Sequence, residues 1–192
     1  ITRKGGYYGV KVGTTNSLRT LEKGGRKNIK VFEGESAPLN RELLTTEWVH
    51  GTDGLGGVSF PGPSKTEEDQ DAVTFLKDAI SNSEEKVTLC VLGPMTNIGK
   101  AISEMPEIVE NIEQIVFMGG SATGGNTTPA AEFNILVDPD ATHIVLHSGV
   151  KLVMMGLDVT HQACLLDTTD AADDPLRVVL RRSRHIKQPK PR

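Results

Sequence analysis

The sequence predicts an α/β fold built on a mostly parallel sheet with helices on both faces. Three observations carry that prediction. Continuous β-branched runs such as Lys86 to Leu92 and Gln114 to Met118 read as buried strands, and each closes on Gly-Pro or Gly-Gly. Helical patterns of ten or more residues separate them, as expected of successive β-α-β units. Glycine-dense stretches then punctuate the chain where strands would end.

Taken in order, Thr15 and Asn16 are N-cap types ahead of Leu18 and Leu21, and Gly24-Gly25 follows, so a helix is expected over 15–25. Ile29 to Phe32 alternates as a strand does, and Pro38 to Val49 fits a helix ending at the loop His50 to Gly57. A second loop, Pro61 to Ser64, leads into a helix from about Glu67 to Ser81, whose Ala72, Val73, Leu76 and Ile80 share one face. After the strand 86–92 comes a helix from Thr96, interrupted at Pro106, and then the strand 114–118. Asp138 to His147 reads as a helix with Pro139 in its first turn, and Lys151 to Val159 as the next strand.

Composition removes several classes of function. The chain has 192 residues and a formal net charge of −4, which gives no overall electrostatic footprint for nucleic acid. Charged residues interrupt every apolar stretch well short of the roughly 18 residues a bilayer span requires. Ile1 to Gly5 is basic, but no apolar segment follows it in the manner of a secretory signal. Two cysteines, Cys90 and Cys164, make no disulfide framework and are expected to be reduced thiols in a cytoplasmic setting. The first residue is Ile rather than Met, so a preceding piece is expected. From Leu176 to Arg192 there are seven Lys or Arg and no acidic residue, read as a flexible basic tail.

In an open parallel sheet, ligands collect beyond the carboxyl ends of the strands. The long connection Gly119 to Asn134 lies at such an end, and long loops inside a domain tend to be functional. Its Asn126, Glu132 and Asn134 offer one carboxylate and two carboxamides, a set suited to a ligand rich in vicinal hydroxyls. The competing reading is structural: Asn126 caps a turn and Glu132 caps a helix. Phosphate cradles are disfavoured, because Gly119 to Gly124 lacks a following Gly-Lys-Ser/Thr and Ser59 stands where the third glycine of G-x-G-x-x-G belongs. No zinc spacing or nucleophile elbow is present, and His50 and His161 are single histidines near loops.

The segments Val49 to Gly57, Leu92 to Ile98, Val116 to Gly120, Gly125 to Asn134, Asp138 to Ala141 and Gly156 to His161 resemble, in order and spacing, the inosine-uridine-preferring nucleoside hydrolase family. The resemblance covers about Thr14 to Gln162 and implies a partial, Rossmann-like hydrolase core over 1–167 with a divergent tail over 168–192. It implies hydrolysis of the N-glycosidic bond of ribonucleosides and a calcium ion that chelates the ribose hydroxyls and the attacking water. It further implies that Asn126, Glu132 and Asn134 contact ribose, that Met118 packs against the sugar, that His50 lies near the base, and that the Leu92 carbonyl is a main-chain calcium ligand. A homo-oligomer is expected for the full-length family member.

The departures matter as much. The aspartate-rich D-x-D-P-G-x-D-D motif that supplies calcium ligands and the base has no counterpart here, and the later His-Asp pair is absent. No catalytic residue is therefore identified, and a lone carbonyl cannot hold calcium. The expectation is a family-derived chain with little turnover by itself, with a non-catalytic nucleoside-binding or interaction protein as the alternative.

Overall fold

The computed structural model describes residues 2–3, 9–45, 47 and 51–163. Trp48, His50 and Cys164, together with the tail over 168–192, lie outside the described residues.

The architecture is a parallel sheet with flanking helices. Strands β3 (Val87–Val91), β4 (Ile112–Met118) and β5 (Leu152–Met155) run parallel in the order β3-β4-β5. A two-stranded parallel pair, β1 (Thr2–Arg3) and β2 (Phe32–Glu33), precedes them. The helices are α1 (Val10–Lys23), α2 (Ala72–Ser81), α3 (Thr96–Glu104), α4 (Phe133–Val137), α5 (Pro139–Leu146) and α6 (Leu157–Thr160). A 3₁₀ turn, Pro106–Asn111, follows α3 at the proline that the sequence marked as an interruption.

One core holds these parts. Val73, Leu76 and Ile80 of α2, Ile98, Ala101 and Ile102 of α3, and Ala141 and Val145 of α5 pack on Ile115 and Phe117 of β4. Because side chains alternate along a strand, Ile115 and Phe117 face these helices while Gln114, Val116 and Met118 face away. Helix α2 starts where Asp71 accepts hydrogen bonds from the Val73 and Thr74 N–H groups, each at 2.9 Å, later than the expected Glu67.

Several elements differ from the sequence reading, each for a visible reason. Helix α1 begins at Val10 rather than Thr15, and Thr15 and Asn16 lie within it. The hydroxyls of Thr14, Ser17 and Thr20 bond back to carbonyls four residues earlier, while Asn16 donates to the Asp53 carbonyl at 2.8 Å. Residues 38–45 are not helical, because the segment is held across other elements: Leu39 N–H donates to Asp138, and Arg41 donates to the Leu136 carbonyl. The strand expected to Val159 stops at Met155 and gives way to α6. Strand β3 is not buried on both faces: Thr88 and Cys90 are exposed, and Val87, Leu89 and Val91 are half-buried. Among the described residues no helix covers that second face.

Helices α3 and α5 meet at a glycine. A Cβ on Gly99 would lie 2.8 Å from the Ala141 Cβ and 2.9 Å from its carbonyl oxygen, so the helices approach closely only because none is there. Gly99→Ala would gain about 1 kcal/mol of helix propensity but overpack a backbone contact at a cost of about 1–3 kcal/mol. The net expectation is a lowered midpoint of urea unfolding. A midpoint equal to or above that of the parent chain would show that α3 and α5 can separate freely.

Candidate functional site

The carboxyl ends of β3, β4 and β5 form one rim. The pair Val91↔Phe117 and the pair Met118↔Met155 place Leu92, Met118 and Met155 at neighbouring positions there. Leu92 is 78% exposed, Met118 is half-buried, and the loop after β4 folds back over this end.

Two of the loop's polar residues are buried: Glu132 is 3% exposed and Asn134 is 2% exposed. Glu132 is the N-cap of α4, its Oε2 accepting from the Ile135 N–H at 3.2 Å and the Gly120 N–H at 3.1 Å. The carboxylate thus ties the end of β4 to the start of α4. The junction is tight at Gly119, where a Cβ would lie 3.0 Å from the Ile135 Cδ1 and 3.4 Å from the Glu132 Oε2. Asn134 donates through Nδ2 to the Met118 carbonyl and to its Sδ, both at 3.1 Å. Asn126 is exposed, and its Oδ1 accepts from the Phe133 N–H at 2.9 Å and the Thr127 hydroxyl at 3.2 Å. Gly125 before it permits the tight loop, because a Cβ would sit 2.2 Å from the Thr128 and Ala131 carbonyl oxygens.

The structure therefore gathers Met118, Asn126, Glu132 and Asn134 around one loop, with Leu92 one strand away. Both structural capping roles weighed from the sequence are present. They leave chemistry over: among the described residues Glu132 Oε1 and Asn126 Nδ2 have no hydrogen-bond partner. His50 lies outside the described residues, and His161 is an exposed residue at the end of α6.

A residue that sequence reasoning treated as part of a strand holds the loop from the other side. Asp158, in the first turn of α6, accepts from the Ala122 N–H at 2.7 Å, the Thr123 hydroxyl at 2.6 Å and the Ser121 hydroxyl at 3.4 Å. Its carboxyl is held below the usual range, chiefly by the Ala122 N–H and then by the Thr123 hydroxyl. Leu157 N–H donates to the Gly120 carbonyl at 3.0 Å, closing the same junction. The available signal was an acidic residue two positions after a glycine, the pattern of a helix first turn.

Calcium takes six to eight oxygens with carboxylates among them. Among the described residues no group of three or more His, Cys, Asp or Glu could hold a metal ion. The one expected donor, the Leu92 carbonyl, has no carboxylate set beside it, so the described residues do not fit a calcium site. Among the described residues no helix is long and apolar enough to cross a membrane.

Comparison with known proteins bears on the family. The family model described as inosine-uridine preferring nucleoside hydrolase matches residues 1–187. An uncharacterized protein of Schizosaccharomyces pombe is 44% identical over 164 residues, which are 84% of this chain and 53% of that protein. The pyrimidine-specific ribonucleoside hydrolase RihA of Shewanella woodyi is 48% identical over 152 residues, 79% of this chain and 49% of RihA. Among solved structures, the purine-preferring ribonucleoside hydrolase from Gardnerella vaginalis superposes with a TM-score of 0.80 at 35% identity, covering 84% of this chain and 53% of that one. A plant nucleoside hydrolase gives a TM-score of 0.76 at 34% identity, covering 80% and 49%. The chain thus spans about half the length of the curated relatives it matches.

The Asp158 tie is open to test. Asp158→Ala should speed amide hydrogen exchange at Ala122 and Thr123 several-fold while leaving α2 and α3 unchanged. Because the folded carboxyl titrates below its unfolded value near about 4, the tie is complete above that pH and is lost as pH falls through the lowered value. Fast exchange at Ala122 in the parent chain at neutral pH would contradict it.

Proposed function

This chain belongs to the inosine-uridine preferring nucleoside hydrolase family, and we propose that its loop 119–134 is the ribose-gripping part of an enzyme that hydrolyses ribonucleosides to free base and ribose. The observation that carries the proposal is the pair of buried side chains, Glu132 and Asn134, fixed by Gly120 and Met118 at the carboxyl end of β4.

In this reading Glu132 Oε1 accepts a bond from a ribose hydroxyl while Oε2 stays on the backbone, so the acceptor is held in place before the sugar arrives. Asn126 Nδ2 donates to a neighbouring hydroxyl, and Asn134 is held by Met118, whose thioether packs on the sugar face. Hydrolysis of an N-glycosidic bond develops oxocarbenium-like charge on the ribose, so contacts to its hydroxyls that strengthen as the ring distorts lower the barrier. A general base and a calcium ion require carboxylates from outside the described residues. His50 is proposed for the base-facing side. The same reading puts the protein in the cytoplasm, in ribonucleoside breakdown and purine and pyrimidine salvage, with a homo-oligomer for the full-length enzyme. An exposed free thiol at Cys90 suits a reducing compartment.

By itself the 192-residue chain should bind ribose weakly and turn over little or no nucleoside. Ribose titrated into isotopically labelled chain should shift the resonances of Asn126, Glu132 and Asn134, and incubation with inosine or uridine should release no ribose, with or without millimolar calcium. Absence of shifts at those residues would refute the ribose grip. Calcium-dependent ribose release would refute the inactivity of the chain alone and show that residues beyond the described ones complete a metal site.

A further inference from the structure

Strands β4 and β5 leave the sheet side by side. Met118 pairs with Met155, and the residues two beyond each meet: the Leu157 N–H donates to the Gly120 carbonyl. Gly120 also donates its own N–H to Glu132 Oε2. One residue is therefore held by the start of α6 and in turn holds the buried carboxylate. Its φ of +71° lies in the left-handed region, so the chain turns sharply at this point.

The two donors to Glu132 Oε2 do different work. The Ile135 N–H belongs to α4 and comes with the cap. The Gly120 N–H comes from outside that helix, so it fixes the orientation of the carboxylate and with it the direction of Oε1. Beyond Gly120 the loop is gathered by Asp158. Its Oδ2 takes the Ala122 N–H, its Oδ1 takes the Thr123 hydroxyl, and the Ser121 hydroxyl lies 3.4 Å from both oxygens. Ser121 Oγ then accepts from the Thr123 and Gly124 N–H groups, each at 3.2 Å, two residues before Asn126. Both Asp158 oxygens are engaged inside the loop, so this carboxylate acts through the backbone and not on a ligand.

We propose that Asp158 is a positioning residue for the ribose grip, setting Glu132 through the Gly120 peptide and Asn126 through the Ser121 turn. The proposal rests on the reading of loop 119–134 as the ribose-binding element and adds the group that aims it. If Gly120 to Gly124 drift, Glu132 keeps its bond to Ile135 and still caps α4, but Oε1 no longer points where a hydroxyl would meet it. A hydroxyl contact depends steeply on distance and angle, so a small displacement is enough to lose it.

The test titrates ribose, and separately 2-deoxyribose, into the isotopically labelled 192-residue chain and its variants, following Asn126, Glu132 and Asn134. Asp158→Ala should weaken ribose binding roughly tenfold through the misdirected acceptor, with the resonances of α2 and α3 unchanged. Asp158→Asn retains one acceptor oxygen and should fall between this variant and the parent chain. The parent should favour ribose over 2-deoxyribose, and Asp158→Ala should narrow that preference, which a general loosening of the fold would not do. Gln162→Ala removes only a bond to the Asp158 main-chain carbonyl and should leave both affinities unchanged. Equal ribose binding by the parent and Asp158→Ala, or equal weakening for the two sugars, would overturn the proposal and leave the ribose reading standing. A parent chain without ribose-induced shifts would overturn that reading and this proposal with it.

Discussion

The carboxylate of Asp138 is the constraint on which the relative positions of the other parts depend. It is fully buried at 0% exposure and serves three segments at once. Its Oδ1 accepts from the Ala141 N–H and so starts α5, while its Oδ2 takes the Thr96 hydroxyl at the start of α3 and the Leu39 N–H of the segment after β2. A buried carboxylate is tolerated only when its lone pairs are engaged, and each of these donors would in turn be costly to bury alone. Thus one side chain fixes where α3, α5 and the 38–45 segment sit. Because α4 ends one residue before Asp138, it also fixes where α4 and its cap Glu132 sit.

What the sequence made legible follows from which forces are local. Helices α2, α3 and α5 and strand β4 were readable because their apolar spacing faces one core, with Pro139 marking the start of α5 and Pro106 the break after α3; the Asp71 start of α2 was not read. The 38–45 segment was misread because its apolar pattern is helical while its conformation is set by Asp138, ninety-nine residues from Leu39. Helix α1 was cut short because Thr14, Ser17 and Asn16 have weak local preference for a helix interior. The Thr14 and Ser17 hydroxyls bond locally, four residues back, but the bond of Asn16 to the Asp53 carbonyl spans thirty-seven residues and exists only in the folded chain. Neither effect has a signature within a short window.

The loop shows a different limit. Residue types alone left Glu132 between a helix cap and a ligand contact, and the structure makes these compatible rather than exclusive. One oxygen holds Ile135 and Gly120, which aims the other. A cap of this kind is a preorganised acceptor, and its rigidity is what a sugar contact needs. Asp158 was invisible for the opposite reason, since it supplies positioning rather than contact and is joined to Ser121, Ala122 and Thr123 across thirty-five residues or more.

The sheet's two faces bear on how far this grip can work. Parallel strands are ordinarily covered on both sides. Here Ile115 and Phe117 lie under α2, α3 and α5, whereas the row Thr88, Cys90, Val116, Met118 and Met155 has no helix over it among the described residues. Met118 belongs to that open row by strand alternation, yet it is also the residue that orients Asn134. Any segment that covered the open face would therefore also lie beside Met118, excluding water from it and strengthening its polar contact with Asn134. In the reading proposed for loop 119–134, closing that face and completing the ribose site go together.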